Sequence, residues 1–117
     1  MIRLPKKSKF SSQKTVVGNI KFASKKEAER YKELKLMEKA GVIEDLKLQP
    51  NFLIQEKFIH EKRVQREVRY IADFMYYDTH TEKTVVEDVK GFRTKTYIVK
   101  KKMFLKRYGD QYKFVEI

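Results

Sequence analysis

Apolar residues recur along this chain at spacings that change between those of helices and those of strands. From Ala28 to Ala40 they fall at three-residue steps, which is the spacing of one face of an α-helix. Ser24 stands before this stretch with Glu27 three residues later, a pattern typical of a capping box, and Gly41 is suited to end the helix. The pattern therefore predicts an amphipathic helix between Ser24 and Gly41.

Strand patterns surround this helix. Residues 15–22 predict a short strand or hairpin, and residues 42–54 predict one strand with a bend or two short strands, because Pro50 interrupts the alternation. The charged residues 55–66 predict a loop or a protruding, solvent-facing strand extension.

The second half of the chain predicts a hairpin, a helix and a final strand. Residues 67–77 and 84–89 are rich in Val, Tyr and Phe and flank a polar turn at residues 78–83. Residues 94–108 predict a helix with one apolar and one basic face, and residues 112–117 predict a last strand. This order predicts an α/β fold with a mixed sheet flanked by helices.

Composition narrows the class of partner. The 117 residues suffice for one domain, and a net charge of +12 favours a polyanion such as nucleic acid, although a solubility surface or the binding of acidic proteins remains an alternative. Residues 1–17 are interpreted as a basic arm and residues 18–117 as a single domain. No stretch predicts a membrane segment, so we expect a soluble protein of the cytoplasm.

Candidate chemistry lies in the carboxylates, since the chain contains no cysteine and only two histidines, His60 and His80, which are predicted to lie on the surface. Side chains two apart share a face of a strand, so Asp88 and Lys90 point the same way and Glu87 points the other way. Asp73 is expected opposite or diagonal to Asp88 across the hairpin.

Two carboxylates this close stay ionised together only around a cation, and carboxylate oxygens suit Mg²⁺ or Mn²⁺. Glu27 lies near the buried edge of the first helix and is a further candidate ligand. The alternatives are a cross-strand salt bridge on an exposed hairpin and, for Glu27, a capping role alone.

The sequence resembles the restriction-endonuclease-like superfamily, whose pattern is Asp, a gap, then Asp/Glu-x-Lys. More closely, it resembles short phage and prophage proteins similar to phage endonuclease I, which resolves Holliday junctions. The resemblance spans residues 21–117. It rests on four motifs at residues 22–31, 48–50, 70–74 and 86–91, namely FASKKEAERY, LQP, YIADF and VEDVKG.

This resemblance implies an α-β-β-β-α-β core with the acids at one edge of the sheet, two divalent ions, and cleavage of branched DNA in phage recombination. It carries over Glu27, Asp73, Asp88 and Lys90 as catalytic residues, with the three acids as metal ligands. Gln49 and Glu87 are expected to line the site. In one respect the chain departs from the pattern, because the turn at residues 78–83 lengthens the gap between the two aspartates.

The proposed DNA contacts follow the acidic motif directly. Lys and Arg contacts to phosphate supply affinity with little sequence information, so recognition of DNA structure is expected rather than of sequence. Cutting both strands of a junction needs two symmetric sites and predicts a homodimer, with Phe52, Ile54, Phe58 and Ile59 as candidate apolar contacts. A non-catalytic nucleic-acid-binding module or a phage regulatory protein with the same fold is the alternative. The predicted DNA-binding residues are Arg93, Lys95, Lys100, Lys101, Lys102, Lys106 and Arg107.

Overall fold

The computed structural model of the protein describes residues 14–117. In this range the chain forms ten strands and two helices. Their bounds are β1 Thr15–Val17, β2 Ile20–Phe22, α1 Lys25–Lys39, β3 Ile43–Leu48, β4 Asn51–Gln55, β5 Phe58–His60, β6 Arg63–Gln65, β7 Val68–Ile71, β8 Phe74–Asp78, β9 Lys83–Asp88, α2 Lys95–Tyr108 and β10 Lys113–Glu116.

A four-stranded mixed sheet in the order β10-β9-β8-β3 forms the centre of the described chain. β8 pairs antiparallel with both β3 and β9, whereas β10 returns beside β9 in parallel after α2. A parallel return needs a crossover, and α2 supplies it. The α/β class is thus confirmed, as are both predicted helices, the hairpin between β8 and β9 and the last strand.

Each face of the central sheet is covered by one helix. Successive side chains of a strand point to opposite faces, and the neighbours Val85 and Val86 accordingly enter two different hydrophobic cores. On one face Leu34 of α1 packs with Phe74, and on the other Phe104 of α2 packs with aromatic residues of β4 and β7. The end of β9 therefore lies between two buried layers.

The prediction of one strand over residues 67–77 was wrong, because the chain breaks into β7 and β8 at Ala72 and Asp73. The amide of Ala72 donates to the carbonyl of Pro50 at 3.1 Å, whereas that of Asp73 donates to Glu87 at 3.1 Å. β7 pairs with β4, and β8 pairs with β3 and β9, so the two halves belong to different sheets. The break sets Asp73 at the junction of the two ladders.

Residues 55–66 contain a β5–β6 hairpin, so the expectation of a protruding, solvent-facing strand is confirmed in this form. Two of the four proposed dimer contacts were wrong, since Phe52 and Ile54 are buried in the core beneath α2. Phe58 and Ile59 do remain exposed on the hairpin. The apolar run had suggested an accessible surface, but α2 covers the first half of it.

The boundary drawn after residue 17 falls inside a hairpin, because β1 pairs with β2 and Val17 packs against the core beneath α1. Residues 1–13 of the predicted basic arm lie outside the described residues. His60 and His80 are both exposed, as predicted. Within residues 14–117, neither helix has the length and apolar character needed to cross a membrane.

Candidate active site

Asp73, Asp88 and Lys90 meet where β8 and β9 end. The ladder of β8 and β9 ends at the pair of Phe74 with Glu87, and the amide of Asp73 also donates to the carbonyl of Glu87. Asp73 and Asp88 follow directly at the ends of the two strands, with their carboxylates close enough to interact. The two carboxylates face the α2 side of the sheet, because their neighbours Met75 and Val86 pack in that core.

Asp88 is completely buried, and its two oxygens have different surroundings. Oδ2 accepts a hydrogen bond from the hydroxyl of Tyr70. Lys90 Nζ lies 2.9 Å from Oδ1, which is an ion-pair distance, yet within the described chain Oδ1 accepts no hydrogen bond of acceptable geometry. The Lys90 ammonium compensates the buried charge of Asp88, and Oδ1 keeps lone-pair capacity for a further ligand.

Lys90 is held by two contacts of different kinds. Its ammonium pairs with Asp88 and also lies 4.8 Å from the centroid of the Tyr97 ring, within cation–π range. Its side chain is 26% exposed, so a phosphate in solvent can reach it. Lys90 therefore presents a fixed positive charge beside the buried Asp88 and the half-buried Asp73.

The neighbouring carboxylate of Asp88 destabilises the charged form of Asp73. Its Oδ2 accepts a hydrogen bond from the amide of Val89 at 2.7 Å, which favours the charged form. Burial, followed by hydrogen bonding to and repulsion from the Asp88 carboxylate, nevertheless raises the pKa of Asp73 well above its usual range. The two aspartates thus form a pair that has to share either a proton or a cation.

Glu27 reaches the same cluster from the first turn of α1. It is buried, and burial raises the pKa of its carboxyl, an effect that Lys90 opposes and Asp88 reinforces. Its amide donates to Ser24 Oγ at 3.1 Å, which confirms the predicted cap, but the reciprocal bond from the Glu27 side chain to the Ser24 amide is absent among the described residues. Capping therefore accounts for its backbone and leaves its carboxylate for the cluster.

The chemistry of these donors fits a hard divalent cation. Glu27, Asp73 and Asp88 supply carboxylate oxygens only, and Asp88 Oδ1 has no directed hydrogen bond. Within residues 14–117 no three carboxylate or imidazole side chains are already arranged around one point as a metal site. Mg²⁺ commonly takes only one or two carboxylates and completes its shell with water and substrate phosphate, so the Asp73–Asp88 pair is sufficient for it.

Glu87 and Gln49 occupy other positions than the aspartate pair. Glu87 is completely buried on the opposite face of β9, where it accepts from Arg30 Nε at 2.8 Å and Nη2 at 2.6 Å and from the Tyr76 hydroxyl. Gln49 is exposed, and its backbone N–H donates to the carbonyl of Asp73 at 2.9 Å. Glu87 thus joins the sheet to α1, and Gln49 supports the backbone at Asp73.

The predicted DNA-binding cations of α2 divide into two groups. Arg93 and Lys101 both pair with Glu116, and Arg107 pairs with Glu56. The other four make no ion pair with any residue that the structure describes. All of them except the half-buried Lys100 are exposed and make the outer side of α2 basic. These four are Lys95, Lys100, Lys102 and Lys106.

Glu116 is expected to stabilise the junction of β10 and α2 in a pH-dependent way. Hydrogen bonds from Arg93, Tyr97 and Lys101 lower the pKa of Glu116 to about 2. Because its pKa is lower in the folded state, its contribution is present above the ordinary Glu pKa of about 4.3 and is lost as the pH falls toward 2.

Glu116→Gln should therefore be less stable than the parent protein at pH 7, with a difference that shrinks in urea denaturation between pH 4 and pH 2. Exposed Glu44, which makes no ion pair with a described residue, provides the control Glu44→Gln. A difference that stays constant over this range would contradict the assignment.

Four residues of the site and its support were not found from the sequence: Tyr70, Tyr97, Arg30 and Tyr76. Tyr70 and Asp88 are 18 residues apart, and Arg30 and Glu87 are 57 apart. The only local signal was that Tyr70 lies on the predicted strand that leads to Asp73. Tyrosine on a strand usually packs in the core, and this signal does not identify a partner.

Comparison with known proteins places the chain in a family. No protein with a curated description and no solved structure matches it. A family model described as "Protein of unknown function (DUF1064)" matches residues 7–116. Because this match spans nearly the whole chain, the protein belongs to the DUF1064 family.

Proposed function

We propose that this protein is a Mg²⁺- or Mn²⁺-dependent endodeoxyribonuclease with a restriction-endonuclease-like core, acting on branched DNA in the cytoplasm of a host cell. The observation that carries the proposal is the adjacent carboxylate pair of Asp73 and the completely buried Asp88, with the buried Glu27 near it and Lys90 Nζ 2.9 Å from Asp88 Oδ1. A purely structural salt bridge between Lys90 and Asp88 does not need further carboxylates nearby, because like charges in low-dielectric surroundings repel.

In this proposal Asp73 and Asp88 bind the cation, and Glu27 supplies a third carboxylate. A bound divalent ion polarises the scissile phosphate and lowers the pKa of a coordinated water. Tyr70 fixes the orientation of Asp88 through its hydroxyl. Lys90, held between Asp88 and the Tyr97 ring, orients the attacking water or stabilises the negative charge that develops on the phosphate.

The basic side of α2 supplies the DNA contact next to this site. Lys95, Lys100, Lys102 and Lys106 are free of ion pairs among the described residues, and neutralising phosphates with such side chains releases counterions. A homodimer would supply the second incision that a four-way junction needs.

Removal of divalent cations should abolish cleavage. We expect four-way-junction or plasmid DNA to be cut in Mg²⁺ or Mn²⁺, to remain intact in EDTA, and to be cut again when the metal is restored. Ca²⁺, which takes more ligands at longer distances, serves as the control for binding without efficient cleavage. Cleavage that persists in EDTA would rule out the metal-dependent mechanism.

A non-catalytic DNA-binding module is the second candidate, and one observation favours it. The described residues contain no ready-made group of three metal-binding side chains. This candidate predicts salt-dependent DNA binding that divalent cations leave unchanged, with no cutting under any of the conditions above.

A further inference from the structure

The β5–β6 hairpin lies outside both hydrophobic cores. β5 and β6 pair only with each other in the described chain, and every residue of β5 is exposed. An isolated two-stranded hairpin is marginally stable in water. A projecting element that contributes nothing to either core is therefore a candidate contact surface.

The hairpin carries an exposed apolar pair. Ile59 lies directly opposite Val64, so the two side chains share one face, and they are 71% and 59% exposed. Phe58, on the other face, is 49% exposed. Three large apolar side chains this exposed on one small element exceed the scattered exposure that needs no explanation.

Positive charge surrounds this apolar pair. The hairpin and its flanks carry four cations, and Glu61 is the single acid between residues 57 and 66. None of the four cations makes an ion pair with a described residue, and the segment carries a net charge of +3, from four cations and one acid with His60 neutral. A second copy would bring the same charge and be repelled, whereas a polyanion is attracted. The cations are Lys57, Lys62, Arg63 and Arg66.

A single length of extended chain connects the hairpin to the acidic cluster, which consists of Glu27, Asp73 and Asp88. From Gln65 the chain runs through β7 to Asp73, and Tyr70 on the way bonds Asp88. Eight residues of strand span at most about 26 Å, at roughly 3.3 Å per residue. DNA bound at Asp73 and Asp88 is therefore within reach of the hairpin over about eight base pairs, at 3.4 Å per base pair.

We infer that the β5–β6 hairpin is a second DNA-binding element that recognises an interruption of the double helix. Lys62, Arg63 and Arg66 hold phosphates, which are alike in every duplex. The Ile59–Val64 pair packs against base faces that a continuous stack conceals, as apolar side chains do where they enter unstacked steps. The inference rests on the proposed DNA substrate and does not require that the protein cut it.

The apolar pair is tested by binding in EDTA to a four-way junction and to a linear duplex of matching sequence. The double variant Ile59→Ser/Val64→Ser should bind the junction roughly tenfold more weakly and the duplex almost unchanged. Both residues are exposed and belong to neither core, so the fold should be retained. A matched control is Val16→Ser/Leu36→Ser, two side chains exposed by 62% and 69% elsewhere on the molecule, which should keep the junction preference.

The cations are tested by the salt dependence of the same binding. The triple change of Lys62, Arg63 and Arg66 to Ala should lower the slope of log K against log salt by roughly two to three. The same change at Lys39, Lys47 and Lys83, three exposed lysines without ion pairs among the described residues, should lower it much less.

The inference would be overturned by equal binding of junction and duplex by the parent protein, by an unchanged junction preference in the apolar double variant, or by equal effects of the two triple variants. A parent dimer that the apolar double variant dissociates with DNA binding intact would likewise overturn it and assign the hairpin to self-association. Hairpin-dependent junction binding without any cleavage would support it while refuting the nuclease. If the apolar double variant cleaves DNA and keeps the junction preference of the parent protein, the nuclease is supported and the inference about the hairpin is refuted.

Discussion

Asp88→Asn is expected to lower DNA cleavage by about 10³-fold or more, with the protein still folded. The change removes one of the two carboxylates that face each other at the ends of β8 and β9. It keeps the shape of the side chain and an oxygen that can accept from the Tyr70 hydroxyl. Single-turnover cleavage of a labelled junction measures the loss.

The thermal stability of Asp88→Asn distinguishes a functional role of Asp88 from a structural one. In the parent protein Asp88 is buried near two other carboxylates, so removing its charge relieves repulsion as well as breaking the Lys90 pair. We therefore expect the melting temperature of Asp88→Asn to stay the same or to rise. A loss of several kcal/mol would instead identify Asp88 as the structural partner of Lys90, since breaking a buried pair costs about 3–5 kcal/mol.

Lys90→Ala should lower cleavage as well, because it removes the positive charge fixed beside the aspartates. Glu29→Gln is the matched control. Glu29 is an exposed acid on α1 whose contact is with Lys32, so its neutralisation should leave cleavage within about twofold. Equal activity in Lys90→Ala and the parent protein would refute the proposed site.

The second large effect concerns the buried ion pair between Arg30 and Glu87. Arg30→Met should destabilise the fold by about 3–5 kcal/mol, because it leaves the completely buried Glu87 carboxylate with Tyr76 alone. Glu87→Leu should cost less, since the Arg30 side chain is 20% exposed and also contacts Glu33. The double variant Arg30→Met/Glu87→Leu should recover most of the loss, because it leaves neither charge unpaired.

Urea denaturation of the four proteins in this cycle gives the coupling energy directly. The exposed pair of Glu29 and Lys32 on the same helix is the control, and its cycle should give no more than about 0.5 kcal/mol. If the coupling energy between Arg30 and Glu87 were as small as that of this control pair, the bidentate pair would not hold α1 to the sheet.

The same pair bears on the acidic cluster, because Arg30 lies one helical turn after Glu27 and Glu87 precedes Asp88 in the chain. Joining Arg30 to Glu87 therefore sets the distance of α1, and with it Glu27, from the end of β9. We expect the double variant to cleave more slowly than the parent protein even where its stability has recovered.

The positions of the helices and of the β8–β9 hairpin were predictable because the signals that specify them are local. Ser24 and Thr94 each accept a hydrogen bond from the amide three residues later, and these two caps start α1 and α2. The alternation along β9 likewise requires Asp88 and Lys90 to share a face and Glu87 to oppose them. Each of these results depends on residues a few positions apart.

The prediction of a single strand over residues 67–77 failed because strand pairing depends on residues that are distant in the chain. The run of apolar and aromatic residues is continuous, and nothing local marks a change of partner. The break arises opposite Pro50, where the facing chain passes from β4 to β3 on one side, while on the other side β9 pairs with β8 and not with β7. Hydrogen-bonding competition between distant segments cannot be read from periodicity.

The sequence by itself determined the α/β class, the two capped helices, the basic side of α2 and the position of Asp73 and Asp88 at the same end of the β8–β9 hairpin. Only the tertiary structure decided that Asp88 is fully buried and bonded by Tyr70, that Glu27 is buried and influenced by Lys90 and Asp88, and that Glu87 pairs with Arg30. The physical reason is that burial and charge pairing depend on which distant segments pack together, whereas caps and alternation follow from the geometry of a single helix or strand.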